Sequence, residues 1–225
     1  MARKLKSVFR IPKLRSLIKA LFVVSAVYFW PWLGFSLAVF FYFYPNLSGV
    51  NLAASFIASL ALIFVFRGLL PPWFFVLFFS VVFFLFWGLK ELTFAKKARA
   101  HLVFALLISL LVFWGFFSGV IEIWLLPLTL FFVIREFLNL NLPQPSNRHA
   151  LFSALLALVI LELAWLMTWL LFPPVVLTSL LFLIFGNLLY LAVRHLEGGL
   201  SRQTILISVL AIIFAFLLTP VLGFW

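Results

Sequence analysis

Apolar runs follow one another along almost the whole chain, broken only by prolines, glycines and short clusters of charge. Charged residues make up 9% of the 225 positions and hydrophobic residues 67%. A soluble domain needs about a quarter of its residues charged to face water, so most of the outer surface here must face lipid. In hydrocarbon every backbone N–H and C=O needs an internal partner, which makes each run a helix. The expected fold is all-α: a polytopic transmembrane helix bundle.

Proline, glycine and charge place the spans at about 14–30, 32–45, 52–67, 70–89, 101–118, 121–136, 149–171, 174–193 and 203–223. The double prolines Pro71-Pro72 and Pro173-Pro174 suit a first helical turn, where the missing N–H costs nothing. Residues 14–45 read either as one long helix or as two short ones. Charge favours two. The stretches 90–99, 135–148 and 194–202 carry Lys90, Lys96, Lys97, Arg99, Arg135, Arg148, Arg194 and Arg202, while 118–121 and 172–174 carry no basic residue. If basic loops and the basic N-terminal arm share the cytoplasmic side, an even number of spans precedes residue 90. That requires a break near Trp30-Pro31-Trp32 and gives nine spans, with the N-terminus inside and the C-terminus outside an inner membrane of bacterial type. The first spans are then short and rely on local thinning or burial in the bundle. The basic stretch before the apolar run 20–30 resembles a signal peptide, but no small-residue cleavage site follows, so it reads as an uncleaved first span.

An internal repeat is also expected. Arg15 to Trp30 aligns with Arg99 to Trp114, and the segment opening at Asn51 aligns with the one opening at Asn147, which puts the two double prolines in corresponding places. The organisation is then a basic arm (1–13), four-span units 14–99 and 100–202 in parallel orientation, and a ninth span within 203–225. Parallel repeats are one transporter architecture.

The formal net charge is +11. Seven of the sixteen basic residues fall within the first nineteen positions and most others sit beside helix ends. This matches the positive-inside pattern and attraction to anionic headgroups, so the expected partners are the lipid bilayer and another membrane protein or a second copy, not nucleic acid. Without cysteine, disulfides, thiolate metal sites and cysteine nucleophiles are excluded. No GxSxG, GxxxxGK[ST] or GxGxxG signature occurs, nor an HExxH or paired histidines four apart. Ser118-Gly119 matches the end of an intramembrane serine-protease motif but lacks its preceding glycine. No cofactor, metal site or catalytic residue is expected.

Few polar groups are left to carry chemistry. Glu162 lies near the centre of the seventh predicted span, where an ionised residue costs roughly 2.5–3.5 kcal/mol on insertion scales. It reads as a functional carboxylate, or as a protonated or hydrogen-bonded packing contact. Arg67 falls at a similar depth in the third span and could pair with it, joined by Glu122 at the outer end of span six; alternatively Arg67 snorkels to the interface. Asn187 beside Gly186 suits a hydrogen bond between helices. The three histidines stand close to arginines at predicted cytoplasmic helix ends: Arg99 with His101, Arg148 with His149, and Arg194 with His195. These six form a candidate headgroup contact, with simple anchoring as the plainer account.

The leading functional expectation is a non-enzymatic structural or accessory subunit of an inner-membrane assembly. The alternatives are a small transporter with Glu162 and Arg67 in its path, and a lipid-modifying enzyme using the Arg/His groups.

Overall fold

The computed structural model describes residues 12–43, 52–90, 97–142 and 147–223. Residues 1–11 of the basic arm, the Asn51 that opens the aligned segment, Glu91 and Lys96 lie outside the described residues. Among the described residues the fold is all-α, with nine helices: α1 (Pro12–Phe29), α2 (Pro31–Phe43), α3 (Ala53–Phe66), α4 (Pro72–Lys90), α5 (Lys97–Phe117), α6 (Leu125–Asn141), α7 (Asn147–Met167), α8 (Pro174–Leu196) and α9 (Arg202–Gly223). Each expected apolar run is a helix, and the second proline of each pair starts one, at Pro72 and Pro174.

Length separates helices from spans. Among the described residues four helices are long and apolar enough to cross a membrane: α4, α5, α7 and α8. By length and composition this supports a multi-pass α-helical membrane protein with four candidate spans, where nine were expected. With 13 and 14 residues, α2 and α3 rise only ~20 Å, against ~30 Å of hydrocarbon. Over its described residues α9 offers the shorter apolar stretch Arg202–Phe214, α1 carries Lys13, Arg15 and Lys19 in its first half, and α6 has 17 residues.

The chain divides into two compact units, Met1–Phe104 and Ala105–Trp225, with the division inside α5. In the first unit α1 packs along α4 and doubles back on α2. The α1–α4 contact is a small, branched stripe against an aromatic one. Ala20, Val23, Val24 and Val27 are the buried residues of α1's stripe and Phe75, Phe79, Val82, Phe83 and Phe86 those of α4's, both sets at helical spacing.

The described part of this stretch, residues 14–43, is two helices. Pro31 supplies no N–H for the Val27 carbonyl and its ring crowds that carbonyl, which breaks the helix. Around the break Trp30 N–H still bonds the Ala26 carbonyl (2.7 Å) and Gly34 N–H bonds the Trp30 carbonyl (2.9 Å). The chain then folds back so tightly that a Cβ on Gly34 would overlap the backbone nitrogen and Cα of Val27 and stand 2.6 Å from its Cγ2. Glycine is what lets α2 lie on α1.

The second unit is organised by α6 on α7 and α9 on α8, with α7 also touching α8. These principal pairs differ from those of the first unit. Ser153, Ala157 and Ala164 line the buried stripe of α7, and such small residues let neighbouring backbones approach closely. Helix ends are closed by local means. Gly198, at φ 73°, ends α8 with its own N–H on the His195 carbonyl and Gly199 N–H on the Arg194 carbonyl. Ser201 caps α9 by accepting from Thr204 N–H at 3.1 Å.

Candidate functional site

The buried stripe of α7 runs through His149, Ser153, Leu156, Ala157, Ile160, Ala164 and Met167. Its opposite side is exposed: Leu151, Leu155, Leu158, Val159, Trp165, Leu166 and, just past the helix, Trp169. Glu162 lies in the middle of this exposed stripe. The residues three and four positions away on either side, Val159, Trp165, Leu158 and Leu166, are all apolar, so its own helix surface offers no cation or donor at the spacing where side chains meet. Among the described residues Glu162 makes no hydrogen bond or ion pair in the structure. Because α7 ends at Met167, Glu162 stands five residues from the helix end, ~7.5 Å along the axis. It is about one turn beneath the exposed Trp165, whose ring packs edge to face 6.2 Å from that of Trp169 just past the helix, rather than at the centre of a longer span.

Arg67 belongs to the first unit and is committed there. Its Nε–H donates to the Tyr28 carbonyl at 3.0 Å. Tyr28 is in the last turn of α1, where carbonyls lack intrahelical donors and cations are favoured. Glu122 is exposed and accepts a hydrogen bond from the indole Nε1–H of Trp124. Asn187 donates to the Leu183 carbonyl of its own helix at 2.9 Å.

The headgroup candidates differ in placement. Arg99 and Arg148 are exposed, whereas His101 is fully buried with its ring 5.7 Å from Phe104. His149 is buried, and its Nδ1 lies 2.9 Å from Asn139 Oδ1. This hydrogen bond ties α7 to α6. Arg194 is exposed, lies 5.5 Å above the Tyr190 ring and faces Glu197 at 3.7 Å. His195 is exposed, with its ring 5.4 Å from Phe152 of α7. Among the described residues no three His, Asp or Glu side chains converge as metal ligands would.

Two features escaped the sequence reading. Lys19, counted there among surface basic residues, is buried with its ammonium 5.4 Å from the centroid of the Phe41 ring. Trp87, which the sequence does not single out, is fully buried among Phe41, Phe83 and Phe86. A charge about two turns into α1, next to its apolar run, was the available signal for Lys19; Trp87 had none. Comparison with protein-family models, curated proteins and solved structures finds no match for this chain.

Proposed function

We propose that this chain is a non-enzymatic subunit of a membrane assembly, packing the exposed face of α7 against a partner helix within the bilayer. The observation that carries this reading is Glu162: one carboxyl group in an otherwise apolar, outward-facing stripe. A lone helix would be better served there by leucine, since an acidic group inside a span is unfavourable unless a partner or water meets it. A partner helix offering Lys, Arg or a hydrogen-bond donor at the same depth would satisfy the carboxyl while covering Leu158 and Leu166. Of the four long apolar helices α7 is the least buried, at 28% of its span, which leaves the most surface to be covered. A carboxylate on the outside of its unit does not line a passage through that unit, so the transporter reading draws no support from it.

In this reading all nine helices cross an inner membrane, the shortest, α2 and α3, by locally thinning the bilayer, with the N-terminus in the cytoplasm.

The test is Glu162→Leu. It makes α7 more apolar and should leave insertion and accumulation intact. A tagged chain solubilised in mild detergent should retain a stoichiometric partner, and Glu162→Leu should lose it while Ile207→Ser on α9 keeps it. Retention of the same partner by Glu162→Leu would overturn the reading.

A further inference from the structure

The first unit holds an apolar cavity of ≈ 520 Å³ between α2 and α3. The two helices are bridged at each end of it by an aromatic contact: Phe35 with Phe64, centroids 6.1 Å apart, and Tyr42 stacked on Phe56 at 4.3 Å. Between these bridges the walls are Val39, Ile57, Leu60 and Ala61, and the cavity opens sideways past the exposed Ile57 and Ala61. From Ala53 to Phe64 the α3 wall is ~16 Å long. One leaflet of a bilayer is ~15 Å of hydrocarbon, so the groove has the length of one acyl chain. Its volume lies within the ~300–1,000 Å³ range of small-ligand sites.

Charge says which lipid. Residues 1–104 contain twelve Lys and Arg against one Glu, and residues 105–225 contain four against four. The whole net charge of the chain therefore belongs to the unit that carries the groove. The Tyr42 end of the groove is also the basic end. Phe41, next along α2, carries the Lys19 ammonium against its ring, and the exposed Arg15 lies one turn before Lys19 on α1. A basic residue near the membrane surface attracts an anionic lipid by about 1 kcal/mol, or about fivefold in occupancy.

We propose that the α2–α3 groove is a site for an anionic phospholipid, one acyl chain lying between the Phe35–Phe64 and Tyr42–Phe56 bridges and the headgroup at the basic end. The site rests on the chain being embedded in a bilayer and not on the α7 interface, so the two stand or fall separately.

The experiment uses the full chain in lipid nanodiscs containing a phosphatidylglycerol with a photoactivatable acyl chain, compared with the phosphatidylcholine analogue, and maps adducts by peptide mass spectrometry. Adducts should concentrate on residues 35–43 and 53–64, with about a fivefold preference for phosphatidylglycerol. Ala61→Trp, which fills the groove, should remove them, while Ile207→Trp on α9 should not. The map on the unaltered chain stands even if Ala61→Trp fails to accumulate. Adducts spread evenly over exposed faces, or independent of headgroup, would overturn the proposal. So would a disulfide-linked dimer through Ala61→Cys in the bilayer, which would place a second copy in the groove.

Discussion

Arg67 and Tyr28, 39 positions apart, are joined by a 3.0 Å hydrogen bond from the guanidinium Nε–H to the backbone carbonyl. The bond ties the end of α3 to the end of α1, just before the chain breaks at Pro31. Removing the guanidinium leaves a helix-terminal carbonyl without its charged donor, and hydrogen bonds to charged groups contribute about 1.5–3 kcal/mol. Arg67→Met should therefore lower the thermal midpoint of the first unit in detergent. Arg67→Lys should recover part of the loss, because a cation remains near the C-terminus of α1. An Arg67→Met midpoint equal to wild type would show the bond to be incidental.

Gly34 and Gly186 make opposite predictions although both sit in apolar helices. A Cβ at 34 would overlap the Val27 backbone, which has no rotamer to yield, whereas a Cβ at 186 meets nothing within 4 Å. Gly34→Ala should cost at least the ~1–3 kcal/mol of an overpacked contact and part α1 from α2. Gly186→Ala should be neutral or stabilise by up to ~1 kcal/mol through helix propensity. Thermal unfolding of the two variants side by side checks this.

The His149–Asn139 bond of 2.9 Å links α7 to α6. Asn139→Leu and His149→Phe, alone and together, form a double-mutant cycle. A coupling of about 1 kcal/mol is expected from a hydrogen bond of this kind. Zero coupling would mean that α6 and α7 are held by their apolar stripes alone.

The absence of cysteine lets topology be read directly. Single cysteines in place of Trp32, Trp73, Trp124 and Trp169 should react with a membrane-impermeant thiol reagent from outside. Those in place of Arg99, Arg148 and Arg202 should react only after permeabilisation. Glu162→Cys should stay unlabelled from outside in intact membranes, since no water-filled path is expected to reach it. Inside labelling at Trp32 would show that α1 and α2 do not form a crossing hairpin.

The helices were legible because lipid imposes a simple grammar. Apolar runs become helices, and Pro31, Pro72 and Pro174 stop or start them. Orientation was not legible where it mattered most. Along α7 leucine, alanine and valine surround the helix on every side, so no periodic pattern announced that Glu162 faces outward while His149 and Ala164 face inward. The partner of Arg67 was hidden for another reason: it is a main-chain carbonyl, which leaves no side-chain signature in a sequence. Lys19 was misjudged because the positive-inside pattern treats every early lysine as surface, while its long stem allows burial against Phe41.

The outward face of α7 is the centre of this account, and a photo-crosslinker placed on it tests the claim most directly. Leu166→Cys, one turn from Glu162 on the same exposed stripe, keeps the carboxyl group and accepts a benzophenone maleimide. Irradiated in native membranes, it should give one discrete protein adduct that Glu162→Leu abolishes. Adducts to lipid alone, or a protein adduct indifferent to Glu162→Leu, would contradict the account.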